Sequence, residues 1–186
     1  MNKNDIRRRV KARKNLLTDS ERQTAARRVF DRFEQFAAFA MSEHILIYHS
    51  LPDELSTLEF IDRWNRAKHF YLPRVNGVNL ELLPYEKTSL KMGAFSIEEP
   101  SGDDIVSPDR IDLIIVPAVA YDRSGNRVGR GKGFYDRLLA TTRAFTVGVA
   151  YDFQLVDEIE TEPFDIPVDM VITESQAFLS PRRRRS

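Results

Sequence analysis

The apolar residues of this chain recur with two periods, and the switches between them mark its elements. Residues 4–17 carry Ile6, Val10 and Leu16 or Leu17 at sparse helical spacing in a basic run, which predicts a helix with a narrow apolar stripe. Thr18 and Glu21 then stand in the S/T-x-x-E arrangement of a capping box. Ala26, Val29, Phe30, Phe33 and Phe36 follow at helical spacing, so a second helix opens there. The run 44–48, HILIY, is short and β-type. Ser56 and Glu59 repeat the capping-box pattern ahead of a helix carrying Leu58, Ile61 and Trp64. Further strands are expected at Phe70–Leu72, Leu80–Leu83, Ile111–Val116, Phe145–Ala150 and Met170–Thr173, with a helix at Tyr135–Ala140. Ile111–Val116 is apolar apart from Asp112, as in a strand covered on both faces. Alternating strands and helices predict an α/β fold of three layers, a mostly parallel open sheet with helices on both faces.

The length of 186 residues fits one domain, expected over 1–180, and the closing PRRRRS, 181–186, reads as a disordered basic tail. No repeat, heptad run or low-complexity linker interrupts it. A chain of this size buries roughly 70% of the surface that its unfolded form exposes, so it needs no external staple. The absence of cysteine excludes a disulfide framework, thiolate metal sites and a cysteine nucleophile. The opening MNKNDIRRRV is charged from its third residue and no apolar run reaches membrane-spanning length. A cytoplasmic protein without a membrane partner is therefore expected.

Formal net charge is +0, but it is unevenly spread. Residues 1–32 hold eleven Lys or Arg against four acids, whereas 150–174 hold eight acids and no Lys or Arg. A small, highly charged anion such as a nucleotide suits a basic N-terminal face on a neutral protein. A nucleic-acid partner is not expected, because no helix-turn-helix, RRM or zinc pattern accompanies the charge.

The chemistry concentrates in residues 117–136, PAVAYDRSGNRVGRGKGFYD, between the most buried-looking strand and a helix start. Ligands of open α/β sheets bind at that edge. Gly129, Gly131 and Gly133 alternate with Arg130 and Lys132. The glycines let backbone N–H groups approach an anion, the following helix aims its positive dipole end at it, and Arg127, Arg130 and Lys132 add full charges. The loop is neither a Walker A sequence, since Gly133 rather than Ser or Thr follows Lys132, nor a G-x-G-x-x-G fingerprint. Its other reading is a basic loop with a glycine helix cap, and a sugar phosphate or coenzyme A would satisfy the same charges.

This segment resembles the signature of the 5-formyltetrahydrofolate cyclo-ligase family, over a long and gapless match. The resemblance continues at Lys3 and Arg7, at His49–Thr57 (HSLPDELST), at Leu72–Arg74, at Gly93–Pro100 and at Phe164–Thr173, covering most of the chain. It implies a NagB/RpiA/CoA-transferase-like fold and an ATP- and Mg²⁺-dependent closure of 5-formyltetrahydrofolate to 5,10-methenyltetrahydrofolate by a monomer. In that reaction the formyl oxygen attacks the γ-phosphate, N10 captures the resulting imidoyl phosphate, and phosphate leaves. By the same resemblance, ATP is held by Lys3, Arg7, Arg127, Val128, Gly129, Arg130, Gly131, Lys132, Gly133, Phe134 and Tyr135, with Lys132, Arg127 and Arg130 holding charge during catalysis. Folate meets His49, Glu54, Phe134 and Tyr135, and the metal meets Asp136 and Asp165. A carboxylate such as Glu54 can accept two side-by-side pterin donors. Simpler readings stand beside these: Lys3 and Arg7 as solvated charges, Glu54 as a loop acid, Asp136 as a helix-start acid and Asp165 as a turn residue. The sequence departs from the family pattern at Phe134, commonly Tyr, and at His49, commonly apolar.

Overall fold

The computed structural model describes residues 2–86, 90–92 and 98–181. Gly93–Ile97 of the family-like segment and the arginines of the tail lie outside the described residues. The elements in chain order are α1 (Lys3–Lys14), α2 (Asp19–Phe33), α3 (Ala37–Met41), β1 (His44–Leu46), α4 (Leu58–Trp64), β2 (His69–Asn76) and β3 (Asn79–Pro84). After them come β4 (Leu90–Met92), β5 (Glu98–Pro100), β6 (Leu113–Val116), β7 (Ala120–Tyr121), β8 (Arg127–Val128), α5 (Phe134–Thr141), β9 (Phe145–Val149), β10 (Met170–Ile172) and β11 (Ala177–Leu179).

Among the described residues, seven strands form one sheet in the order β11-β10-β9-β6-β1-β2-β3. Neighbours from β10 to β2 run parallel, while β11 and β3 pair antiparallel at the two edges. Because side chains alternate along a strand, each central strand feeds both layers. Ile45, Leu113, Ile115, Val147 and Ile172 pack with Val29, Phe30, Phe33, Phe39 and Phe60 from α2, α3 and α4. Leu46, Ile114, Val116 and Val171 face the other way, onto Leu138 and Leu139 of α5 and the ring of Tyr121. The sheet is thus mostly parallel, with helices on both faces.

Helix α1 joins neither layer. Its buried Ile6 and Val10 pack on Ala120, Val128 and Ile159, so it lies across the β7–β8 hairpin at the C-terminal edge of the parallel strands.

The Thr18–Glu21 box forms in both directions: Glu21 N–H donates to Thr18 Oγ1 (3.2 Å) and Thr18 N–H to Glu21 Oε2 (2.8 Å). Two expectations are corrected. α1 stops at Lys14, not 17, because Leu16 and Leu17 N–H groups turn back three residues to Arg13 and Lys14, which tightens the end before Thr18 caps α2. The Ser56–Glu59 box is absent. Thr57 occupies the cap position without a side-chain cap, its hydroxyl donates to Tyr48 C=O (2.7 Å), and Glu59 is drawn to Arg27 (2.9 Å). The expected strands Phe70–Leu72 and Leu80–Leu83 extend into one longer hairpin through Gly77, while β7, β8 and β11 are too short for periodicity to reveal.

Candidate active site at the C-terminal edge of the sheet

Residues 117–133 leave β6 and return as the β7–β8 hairpin, whose turn is built around the buried Asp122. Its Oδ1 accepts from Ser124 N–H (2.9 Å) and Asn126 N–H (3.0 Å), and its Oδ2 accepts from the Asn126 amide (2.9 Å) and Ile159 N–H (3.1 Å). The Tyr121 hydroxyl donates to Val116 C=O (2.6 Å), fastening the hairpin to the strand it left. Beyond it, Gly131 (φ 93°) and Gly133 (φ 70°) take backbone angles that other residues resist. Gly133 is the N-cap of α5, which has no side-chain cap, so its first N–H groups face the loop. Gly129 does not use a positive φ. Its carbonyl accepts from Arg7 Nε (3.0 Å).

α1 supplies a second wall. Lys3 Nζ donates to Asp165 Oδ2 (2.5 Å) and lies 3.7 Å from Glu162. Arg7 also reaches Asn4 Oδ1 (2.8 Å). The loop after β1 supplies a third. Arg130 Nη2 donates to Asp53 Oδ1 (3.0 Å) and Glu54 Oε1 (3.1 Å), while Glu54 Oε2 accepts from Leu51 N–H (3.0 Å). The glycine loop, α1 and the Asp53–Glu54 turn therefore meet in one place.

Arg127 behaves differently from the other cations. Its side chain is only 4% exposed, Nη2 donates to Asp136 Oδ1 (2.7 Å), and Nε is buried without a hydrogen-bond partner among the described residues. Arg127 and Asp136 thus form a buried pair at the start of α5. The Val128 side chain is fully buried under α1, with its backbone near the loop. Lys132 is exposed, and its carbonyl accepts from Arg137 Nη2 (2.8 Å). Arg137 also covers the Phe134 ring, 5.5 Å from its centroid.

The Tyr135 hydroxyl is buried without a partner among the described residues. Burial above all, then the charge of Glu54 and the neighbouring Tyr121, push its pKa up against the pull of Arg127, so it stays protonated and can donate. His49 Nδ1 lies 3.3 Å from Glu98 of β5. Burial lowers its pKa, Glu98 and Asp62 oppose this, and the neutral ring is favoured.

Asp136 and Asp165 are brought together, since Asp136 Oδ1 also accepts from Ile166 N–H (3.1 Å). Burial raises the Asp165 carboxyl, but the Lys3 hydrogen bond, the Glu162 N–H and the charges of Lys3 and Arg127 outweigh it and hold the group below its usual value. Each acid has one oxygen engaged and one that accepts no hydrogen bond from the described residues. Among those residues no cluster of three His, Cys, Asp or Glu could hold a metal by itself. Two free carboxylate oxygens fit a hard cation that takes its remaining ligands from phosphate and water.

Sequence reasoning missed Lys14, Arg22 and Asp122. Lys14 is 6% exposed and faces Asp53, Glu54, Arg130 and Arg22. Its signal was present in the spacing, because residues 3, 7 and 14 share one side of a helix. Two surface depressions, one lined by Arg28, Arg32 and Glu174 and another by Gln23, Arg27 and Arg63, contain none of the expected site residues.

Residues 1–174 match the model of the 5-formyltetrahydrofolate cyclo-ligase family. The chain belongs to that family. It is 33% identical over 179 residues to the 5-formyltetrahydrofolate cyclo-ligase of Escherichia coli K12, covering 91% of this chain and 98% of the relative. The solved structure of Aquifex aeolicus 5,10-methenyltetrahydrofolate synthetase superposes with a TM-score of 0.88 at 32% identity, over 100% of this chain and 96% of that one. The Mycoplasma pneumoniae 5,10-methenyltetrahydrofolate synthetase shares the fold, with a TM-score of 0.74 at 21% identity over 94% of this chain and 99% of that one. Among the described residues no helix is long and apolar enough to cross a membrane.

Proposed function

We propose that this protein carries out the reaction for which its family is named, the MgATP-dependent conversion of 5-formyltetrahydrofolate to 5,10-methenyltetrahydrofolate, at the edge where α1, the 129–133 loop and the Asp53–Glu54 turn converge. The observation that carries the reading is the Arg130–Asp53/Glu54 contact, which joins the phosphate-type loop to the acid suited to a pterin.

The formyl oxygen is an amide-type nucleophile and the phosphoryl group is shielded by negative charge, so positioning and charge stabilisation must supply most of the rate. Lys132, Arg130 and the N–H groups of 129–133 hold the phosphates, with Lys3 and Arg7 closing on the nucleotide from α1. Glu54 takes the pterin donors. Phe134 and Tyr135 wall the folate, and the Tyr135 hydroxyl offers it a donor in a dry setting. Arg127 acts through Asp136. His49, neutral and beside Glu98, lies on the substrate side. Asp136 and Asp165 would hold Mg²⁺, which when bound neutralises phosphate oxygens.

The reading requires coupling between the two substrates. Purified protein should release ADP from ATP only when 5-formyltetrahydrofolate is present, one for each folate consumed. ATP hydrolysis indifferent to the folate, or coupled instead to another acceptor, would remove the folate assignment.

A further inference from the structure

Lys14 ends α1 and is 6% exposed. At about 100° per residue it stands about 20° around the helix from Lys3, and Arg7 about 40°, so three cations line one side of α1 over roughly 16 Å. Two of them are engaged: Lys3 with Asp165, Arg7 with Gly129 and Asn4. The Lys14 ammonium has no carboxylate within ion-pair distance among the described residues, although Asp53 and Glu54 of the loop after β1 attract it. Arg130 of the glycine loop and Arg22 of α2 repel it. A largely desolvated ammonium without a close carboxylate costs stability that a neutral side chain of similar length would not.

Arg130 holds both carboxylates through one nitrogen, Nη2. In the function proposed above, the same guanidinium is required at the nucleotide phosphates, and it cannot be in both places. Its departure would leave two neighbouring carboxylates, one of them only 17% exposed, facing each other without a counter-charge. Two cations remain near them: Arg22, whose guanidinium donates to the Lys14 and Pro52 carbonyls, and Lys14, whose ammonium has no such partner among the described residues. We propose that Lys14 is a positioning residue of the folate subsite: it becomes the counter-ion of Asp53 and Glu54 when Arg130 turns to the nucleotide, keeping Glu54 aimed at the pterin. The inference rests on the assignment of Glu54 to the pterin and Arg130 to phosphate.

The test compares Lys14→Met, Lys14→Arg, Glu54→Gln and the Lys14→Met/Glu54→Gln pair in steady-state kinetics of the full chain. Lys14→Met should raise KM for 5-formyltetrahydrofolate about tenfold and leave KM for MgATP within about twofold, while Lys14→Arg recovers most of the loss. It should melt no lower than the wild type, so misfolding is separated from a binding defect. Desolvation, with Arg130 and Arg22, lowers the Lys14 pKa against Asp53 and Glu54. The folate KM should therefore climb as pH rises through that lowered value, and Lys14→Arg should remove the climb. In the Glu54→Gln background, Lys14→Met should add nothing. A Lys14→Met enzyme with normal folate KM, beside a Glu54→Gln enzyme with a raised one, would overturn the role of Lys14 and leave the site assignment standing. A rise in the ATP KM alone would also overturn it. An unaltered folate KM in Glu54→Gln would bring down the assignment itself, and the inference with it.

Discussion

Arg130 and Lys132 leave the same loop two residues apart but stand in different settings. Arg130 is tied to Asp53 and Glu54, whereas Lys132 reaches the surface from between two positive-φ glycines. On the proposed assignment Lys132 meets the transferred phosphoryl group. Lys132→Ala should lower kcat about 100-fold or more, the usual effect of removing one charge-stabilising donor. Its circular dichroism and melting temperature should stay those of the wild type. Near-normal turnover by a folded Lys132→Ala enzyme would take this lysine out of the reaction. Arg127, from the same stretch of sequence, should fail in the opposite way. Removing one partner of a buried pair costs about 3–5 kcal/mol, so Arg127→Ala should unfold at markedly lower denaturant, and an unchanged midpoint would contradict its burial against Asp136. The sequence made both residues visible as cations in a glycine-rich loop. It could not separate them, because burial depends on α1 folding over β8, a contact between residues more than 100 positions apart.

At the scale of elements, the helices with strong local signals were legible and the short connections were not. The Thr18–Glu21 box sits in a turn with no competing partners and forms as its spacing predicts. Ser56–Glu59 has the same spacing. There Thr57 is claimed by Tyr48 and Ser50, and Glu59 by Arg27 and Arg63, so tertiary contacts override the local motif. The difference can be measured. Thr18→Ala should cost about 1 kcal/mol, roughly 2–4 °C in a protein of this size, while Ser56→Ala should cost much less. Equal losses would mean that the Ser56 region is capped in solution after all. Likewise α1 carried a readable apolar stripe, Ile6 and Val10, but nothing in that stripe said that it would pack on a hairpin instead of on the sheet.

Across the whole molecule, a mostly parallel sheet was foreseeable from apolar runs separated by helices, and its observed order β10-β9-β6-β1-β2 brings segments distant in sequence to one edge. Lys3 and Asp165, 162 residues apart, join there. Their contact makes a pH prediction. The folded pKa of Asp165 is depressed, so its contribution to stability is present above the usual value of 3.8 and is lost as pH falls through the folded value. The melting-temperature gap between the wild type and Asp165→Asn should be widest near neutrality and close below about pH 4. A gap independent of pH would mean that the Lys3 contact contributes nothing in solution. The same convergence of α1, the glycine loop and the β1 loop underlies the functional claim, since no single segment carries all the residues proposed for phosphate, metal and pterin. That claim is tested most directly by mixing the purified protein with MgATP and 5-formyltetrahydrofolate and following the near-ultraviolet absorbance of the methenyl product. The account predicts a rise that requires ATP and is abolished in Lys132→Ala. No rise from folded protein would contradict it.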